Sequence, residues 1–226
     1  GAFDEHGIFP MNICPCDGKV LGFTTGWSRR ISVSADASIG LAVSEDEGLT
    51  FRRKGKGPIM TSSLNEPFLV ADGCVKRFGE TFHMWYIFGT KWEVFEENGA
   101  ADRVYKIAHA TSLDGVNWLR TGLQIIEDVI DENECQALPT VVQLDDVYHM
   151  IFCFRHASGF RENSDKSYRL GHAHSHDLRH WIRDDAATGI GTSPTGWDSK
   201  MQCYPNIFEC DGRTYLLYNG NAFGRF

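Results

Sequence analysis

Four segments of this 226-residue chain repeat one pattern, and the repeat constrains the fold more than any other feature. Each segment contains a proline, an apolar strand-forming run, a turn with Asp or Gly, and a second run rich in aromatic residues. The segments begin at Phe9, Glu66, Leu138 and Tyr204. Because turn residues between two strand-forming runs are typical of β-hairpins, we expect four similar hairpins. Their turns are predicted at Asp17-Gly18, at Asp145-Asp146, at Asp211-Gly212 and, in a longer loop, at Gly79.

A second hairpin follows each of the first three. Aligning Ser44, Ser112 and Ser175 brings an aromatic residue to the end of each second strand, namely Phe51, Trp118 and Trp181. Four antiparallel strands that recur at intervals of roughly 50 to 70 residues are typical of the blades of a β-propeller. The sequence therefore predicts an all-β chain of four-stranded antiparallel propeller blades.

The repeats divide a single domain, residues 1–226, into units of about 4–60, 61–127, 132–190 and 198–226. The last unit has one hairpin only, which leaves three and a half units. Since propellers close from about four blades upward, we expect that an N-terminal blade and the C-terminal end are missing. Open blade edges would then favour self-association.

Composition limits the partners. The formal net charge of -8 argues against nucleic acid and anionic membranes, because both select for clustered Lys and Arg. The chain has no run of about 18 apolar residues, and its first residues, "GAFDEHGIFP", lack the pattern of a signal peptide. The seven cysteines are scattered and odd in number, as in reduced proteins of the cytoplasm. We therefore expect a cytoplasmic protein that binds a small polar ligand.

Polar and aromatic residues cluster where the first strand of each hairpin starts and the second ends. These two points lie at the same face of an antiparallel hairpin. The residues at the strand starts are Asp4, Glu5, His6, Asn65, Glu66, Glu134, Gln136, Asp198 and Tyr204. The residues at the strand ends are Trp27, Arg29, Arg30, Lys91, Trp92, Arg155, His156, Asn219 and Asn221. Carboxylates, hydroxyl-binding cations and amides, and aromatic faces together suit a sugar pocket, so a carbohydrate ligand is expected.

Four short motifs resemble those of the five-bladed propeller glycosidases, the superfamily of arabinanases, β-xylosidases, fructosidases and mannoside phosphorylases. They are "NEP", "ECQALP", "SLDGVNW" and "SHDLRHW". The resemblance implies a five-bladed propeller and a glycoside hydrolase that works by carboxylate acid–base chemistry. It also implies that Glu134 is the acid and that Glu66, which replaces the usual Asp before a proline, tunes it. A nearby charge would keep Glu134 protonated by raising its pKa.

The base of such an enzyme would come from an earlier blade, and Asp4 and Glu5 are the further catalytic candidates. Two alternatives stay open at this point. One is a catalytically silent propeller that binds a glycan, because the Asp-to-Glu change can misplace a carboxylate. The other is a phosphorylase, in which Arg29-Arg30 and Arg155-His156 would hold phosphate.

No metal site and no cofactor are predicted. His172, His174 and His176 lie on one face of a predicted strand, but the aligned partner of His172 is His109, with Leu41 in the first copy. Because metal ligands would not normally repeat in this way, we expect these histidines to be structural. Some proteins of the superfamily that the chain resembles hold calcium on the propeller axis, although no acidic loop here identifies such a site.

Overall fold

The structure is a computed structural model that describes residues 2–9, 11–95 and 99–225. Within these residues the backbone forms fifteen strands. They are β1 (Gly7–Ile8), β2 (Asn12–Cys16), β3 (Lys19–Ser28), β4 (Asp36–Ser44), β5 (Arg52–Arg53), β6 (Val70–Phe78), β7 (Thr81–Glu93), β8 (Asp102–Ser112), β9 (Leu119–Arg120), β10 (Cys135–Leu144), β11 (Val147–Arg155), β12 (Arg169–Ser175), β13 (Ile182–Arg183), β14 (Cys203–Cys210) and β15 (Arg213–Asn219). The helical segments are short: Ser164–Lys166, Asp185–Thr188 and Asn221–Gly224. The all-β prediction is confirmed.

The strands form sheets that follow the predicted repeat. The sheet orders are β1-β3-β4-β5, with β2 also on β3, then β6-β7-β8-β9, β10-β11-β12-β13, and β14-β15. The described strand pairs are antiparallel, and each sheet runs through its strands in chain order. The first three sheets therefore have two hairpins each, and the described part of the fourth has one.

Positive backbone φ angles occur where the sequence predicts hairpin turns. Asp17 (φ 49°) precedes Gly18 (φ 75°), and Asp211 (φ 50°) precedes Gly212 (φ 70°). This pair of left-handed residues defines the tight turn that suits twisted strands. The longer loop predicted at Gly79 is wrong, because Phe78 pairs directly with Thr81 and leaves a two-residue turn.

Two prolines of the repeat, Pro139 and Pro205, occupy β-bulges. The register shifts between Ala137 and Thr140 in β10 and between Cys203 and Asn206 in β14, so that Pro139 and Pro205 lie inside the shift. A bulge tolerates proline because it lacks a ladder hydrogen bond. The matching shift in β6 contains Gly73, not a proline.

The predicted alignment of Pro67 with Pro139 is therefore wrong by six residues. Pro67 lies three residues before β6, which begins at Val70. Pro10, the first proline of the repeat, lies outside the described residues.

The chain divides into two compact units. Unit 1 comprises Gly1–Trp92 and Ala108–Leu123, and unit 2 comprises Glu93–Ile107 and Gln124–Phe226. Unit 1 has a core of buried apolar side chains that includes Phe23, Ile39 and Met84. Unit 2 has its own buried side chains, among them Phe152 and Met150. The division into four units of one domain stays a prediction.

Histidine pairs occupy equivalent positions in the second and third sheets. His83 Nδ1 lies 3.0 Å from His109 Nε2, and His149 Nδ1 lies 3.0 Å from His172 Nε2. Counting from the hairpin turns, the first sheet has Leu21 and Leu41 at these positions. A pair that repeats between sheets and is exchangeable with leucine indicates packing, as the sequence predicts for His172. His176, however, lies beyond β12, which ends at Ser175.

All seven cysteines are free thiols, and five of them are buried. In the described part of the chain, no helix is long and apolar enough to cross a membrane.

Candidate functional site

Glu66 is completely buried in a tight turn that it forms with Ser63. Its Oε2 accepts a 2.8 Å hydrogen bond from the Ser63 hydroxyl and lies 2.8 Å from Nη1 of Arg120. Its Oε1 accepts a hydrogen bond from the hydroxyl of Tyr86. Burial, and secondarily the bond to Glu66, raises the pKa of Tyr86, so the phenol keeps its proton and donates. Three side chains thus hold this carboxylate in one orientation.

Glu134, directly before β10, is also completely buried and accepts four hydrogen bonds. Oε1 accepts from Arg183 Nη1 at 2.6 Å and from Gln136 Nε2 at 3.1 Å. Oε2 accepts from the backbone N–H groups of Val129 and Ile130, each at 3.0 Å. Four donors fill the lone-pair sites that an ionised carboxylate offers. Proton donation by Glu134 would therefore require that one of these bonds be broken first.

The ion pairs of these carboxylates repeat from sheet to sheet. Arg53, Arg120 and Arg183 are each the second residue of the fourth strand, in β5, β9 and β13. Each pairs with a carboxylate that precedes the first strand of its own sheet: Asp4 at 2.5 Å, Glu66 at 2.8 Å and Glu134 at 2.6 Å. We call this contact the sheet-closing ion pair. Three predicted catalytic carboxylates thus share one structural contact.

Exposure distinguishes the three sheet-closing ion pairs. The arginine side chain is 60% exposed in the pair with Asp4, 18% in the pair with Glu66 and 4% in the pair with Glu134. The carboxylates are 5%, 0% and 0% exposed. Glu66 belongs to unit 1 and Glu134 to unit 2, so the predicted tuning of Glu134 by Glu66 stays a prediction.

Two adjoining clefts in unit 1 collect other predicted site residues. The first, of about 420 Å³, is lined by Glu5, Arg29, Arg30, Asp36 and Lys56, among others. The second, of about 560 Å³, shares both arginines and Asp36 and adds Pro67, Phe68 and Trp92. We call the two together the arginine cleft. It combines carboxylates, cations and aromatic surface, which is the combination that the sequence predicts for a sugar pocket.

The remaining predicted residues of unit 1 lie outside the lining of the arginine cleft. His6 is exposed, accepts the backbone N–H of Arg29 at its Nδ1, and lies beside the ring of Trp27. Asn65 is exposed and donates to the carbonyl of Thr121 at 3.4 Å. Lys91 is half-buried next to Trp92 at the end of β7.

Arg155 in unit 2 is enclosed by aromatic rings and is 1% exposed. Its guanidinium carbon lies 3.7 Å from the centre of the Phe160 ring, and Nη2 donates to the hydroxyl of Tyr105 at 2.9 Å. Nη1 donates to the carbonyls of His156 and Ala157. Since a ligand could reach this guanidinium only if the rings moved, a substrate-binding role for Arg155 and half-buried His156 stays a prediction.

The other predicted residues of unit 2 bind neighbouring chain segments. Buried Gln136 donates to the carbonyl of Ile126 and accepts the N–H of Ile107. Asp198 is 3% exposed, and a hydrogen bond from Ser193, with others from Tyr218 and Gln202, lowers its pKa.

Three predicted residues in unit 2 lie near the last strand. Asn221 accepts the backbone N–H groups of Lys200 and Met201. Asn219 donates to the carbonyl of Phe223. The ring of Tyr204 packs on Phe223 with 5.7 Å between ring centres. These contacts lie within the unit, and a substrate-binding role for the three residues stays a prediction.

The sequence did not identify several residues of the arginine cleft and of the sheet-closing ion pairs. Asp36 and Lys56 line the arginine cleft, but both lie in loop-like segments of the sequence that contain no recognisable motif. Arg120 and Arg183 could have been found, because "WLR" and "WIR" place them two residues after the aligned tryptophans. Among the residues that the structure describes, no group of three or more His, Cys, Asp or Glu side chains is placed to hold a metal ion.

Sequence comparison identifies two relatives in Mycobacterium tuberculosis. The chain is 32% identical over 225 residues to the uncharacterized protein MT1551 of strain CDC 1551 and to the uncharacterized protein Rv1502 of strain H37Rv. The match covers 100% of this chain and 71% of each relative. No protein-family model matches the chain.

Comparison with solved structures identifies propeller-type glycoside hydrolases. A complex of BT0996 with RGII superposes with a TM-score of 0.71 at 17% identity, covering 96% of this chain and 66% of the solved protein. A thermostable family-43 glycoside hydrolase gives 0.70 at 15%, covering 93% and 65%. A member of the GH130 family of mannoside phosphorylases and glycoside hydrolases gives 0.64 at 16%, covering 94% and 60%.

This chain thus spans less than two thirds of the length of those three solved proteins. The fold is similar to that of these propeller-type glycoside hydrolases, which confirms the predicted resemblance at the level of fold. The number of blades stays a prediction.

Proposed function

The chain belongs to the family of the mycobacterial proteins MT1551 and Rv1502, and from this premise we propose that it is a sugar-active propeller protein of the glycoside hydrolase type. In this proposal the protein acts on a glycosidic bond by carboxylate acid–base chemistry. The observation that carries the proposal is the arginine cleft, in which Glu5, Arg29, Arg30 and Trp92 converge.

The lining of the arginine cleft provides the contacts that sugar binding needs. Guanidinium groups of Arg29 and Arg30 can donate to several hydroxyl oxygens at once. Trp92 and Phe68 provide faces for the apolar side of a sugar ring. Glu5 and Asp36 bring two carboxyl groups to the same cleft. Most glycosidases use a pair of carboxyl groups for catalysis.

The roles of Glu134 as acid and of Glu66 as its tuning partner are further parts of the proposal. Their burial sets a condition on both roles. One of the four donors must leave Glu134 before that carboxyl group can take and give a proton, because its acceptor sites are filled.

A catalytically silent glycan-binding protein is the second candidate. The observation that favours it is the complete burial of Glu66 and Glu134 in sheet-closing ion pairs, which explains both residues without any chemistry. The two candidates share the arginine cleft and differ in turnover.

Kinetics of the full-length protein on paired substrates would separate the candidates. Glu134→Gln removes proton donation, so the variant should lose far more activity on natural glycosides with poor leaving groups than on activated aryl glycosides, which depart without help. Glu132→Gln is the matched control, because Glu132 is an exposed neighbour in the same loop.

Equal slowing of both substrate types by Glu134→Gln would refute the acid role. Binding of a glycan without turnover of any aryl furanoside or pyranoside would favour the silent protein. Absence of both binding and turnover would refute the proposal. Cytoplasmic location and self-association stay predictions.

A further inference from the structure

The charge of the arginine cleft differs in sign from the charge of the chain. The chain has 30 Asp and Glu against 22 Lys and Arg. Of the charged side chains that line the cleft, Arg29, Arg30 and Lys56 are cations, whereas Glu5 and Asp36 are anions. A concave site of one sign raises the local concentration of ligands of the opposite sign, so a local excess of cations favours an anionic ligand.

Both carboxylates of the cleft already have partners. Asp36 Oδ2 pairs with Arg30, and Asp36 Oδ1 accepts the backbone N–H of Ala37 at 2.9 Å. The N-terminal amine, through a hydrogen bond and its charge, lowers the pKa of Glu5. Neither carboxylate is therefore committed to Arg29 or to Lys56.

The backbone of Arg29 is held in place by a hydrogen bond, and its guanidinium can still bind a ligand. Its backbone N–H donates to Nδ1 of His6 at 3.2 Å, which fixes the residue at the end of β3. Among the described residues its guanidinium has no ion-pair partner, and neither does the ammonium of Lys56. An exposed guanidinium in a cleft can form two parallel hydrogen bonds to a carboxylate or a phosphate.

Apolar surface adjoins these cations. Phe68 and Trp92 line the part of the cleft that also contains both arginines, and Ile31 in the same lining is fully exposed. A simple inorganic anion would leave this surface without a partner. A sugar ring would cover it, since the C–H face of a sugar packs on aromatic side chains.

From these observations we propose that the arginine cleft binds a sugar that has an anionic group, either a carboxylate or a phosphate ester. Arg29 binds the anionic group, Arg30 is held by Asp36 and binds adjacent hydroxyls, and Trp92 covers the ring. This inference rests on the proposed function, because it names the substrate class of the same cleft.

Calorimetric titration of the full-length protein with matched ligands tests the inference. The probes are galactotriose against trigalacturonate, mannose against mannose 6-phosphate, and inorganic phosphate alone. We expect the anionic member of at least one pair to bind about tenfold tighter or more, which corresponds to one charge-assisted hydrogen bond. The preference should shrink as ionic strength rises, because the cleft is open to solvent.

Two variants locate the preference. Arg29→Gln should remove the preference, so that the two members of the pair bind the variant with similar affinity. Lys54→Gln is the matched control, because Lys54 is an exposed cation that does not line the cleft. The hydrogen bond of Lys54 to the carbonyl of Leu41 uses the backbone N–H and survives the substitution. The Lys54→Gln variant should therefore keep the preference for the anionic sugar. Equal affinity for both members of each pair, an unaffected preference in Arg29→Gln, or an equal loss in Lys54→Gln would overturn the inference.

The remaining outcomes separate this inference from the proposed function. If the neutral sugars bind through Trp92 and the anionic group adds nothing, the inference fails and the proposed function stands. If no probe binds, both fail at this cleft. If inorganic phosphate binds as tightly as mannose 6-phosphate and depends on Arg29, the cleft takes phosphate itself and the assignment to an anionic sugar is wrong.

Discussion

The three sheet-closing ion pairs form a natural series in which the same contact occurs at three levels of burial. Removing the carboxylate charge without changing its shape, by Asp4→Asn, Glu66→Gln and Glu134→Gln, leaves each arginine without that counter-charge. The cost should rise as the arginine becomes more buried, because water can compensate an exposed cation and not an enclosed one. The arginine exposures of 60%, 18% and 4% set the expected order.

The magnitudes follow from the surroundings of each arginine. Asp4→Asn should cost less than about 1 kcal/mol, as for surface pairs. Breaking a buried pair costs about 3 to 5 kcal/mol. Arg183 keeps a second partner, since Arg183 Nη2 lies 3.0 Å from Asp185 Oδ2. We therefore expect about 2 to 4 kcal/mol for Glu134→Gln, and about 2 to 3 kcal/mol for Glu66→Gln, where Ser63 and Tyr86 can still donate.

Urea unfolding followed by tryptophan fluorescence and circular dichroism measures these losses. A shift of the midpoint at constant slope would report stability alone. Double-mutant cycles with the paired arginine isolate the coupling in each sheet. Equal losses in the three variants, or a reversed order, would refute the reasoning from burial. A Glu134→Gln variant more stable than the wild type would indicate that Glu134 is retained for chemistry at the expense of stability.

Three further predictions concern groups outside the arginine cleft. Hydrogen bonds from Thr50 lower the pKa of Asp46 to about 2, so an NMR titration should show this carboxyl group still ionised at pH 3, and a midpoint near 4 would contradict the turn geometry. Burial lowers the pKa values of His149 and His172, so the folded state binds fewer protons than the unfolded state, and stability should fall as the pH drops below about 6.5. Replacing both histidines by leucine, as in the first sheet, should flatten this pH dependence of stability. An unchanged pH profile in that double variant would contradict the prediction. Burial raises the pKa of Cys203 to about 12. Iodoacetamide should therefore label exposed Cys210 in the native protein and Cys203 only after unfolding. Equal labelling rates of the two cysteines in the native protein would show that Cys203 is accessible.

The repeat in the sequence predicted the sheets well, because turn residues act locally. Asp17-Gly18 and Asp211-Gly212 specify a backbone conformation that few other residue pairs adopt. The alignment of Pro67 failed for a physical reason: proline is compatible with strand starts and with bulges, and its position in the sequence does not distinguish the two. Gly73, which occupies the bulge in β6, has no proline signal at all.

The site was less predictable than the fold. Residue type and strand position predicted that Arg29, Arg30 and Trp92 lie near one another, and these three side chains line one cleft; their roles stay predictions. Burial of Glu66 and Glu134 could not be predicted from the residues near them, since their partners Arg120 and Arg183 lie about 50 residues further along the chain. A carboxylate that is fully paired and one that is poised for catalysis are identical in sequence, and only the tertiary contacts distinguish them.

Glycan-array binding of the full-length protein and its Trp92→Ala variant tests the central claim, that the arginine cleft is a sugar site, most directly. The matched control is Trp197→Ala, because Trp197 is an exposed tryptophan of unit 2 that stacks on Tyr218. The account predicts that the wild type and Trp197→Ala retain the same glycans and that a folded Trp92→Ala variant loses them. It would be contradicted if the wild type retained no glycan, or if Trp92→Ala retained the same glycans as the control.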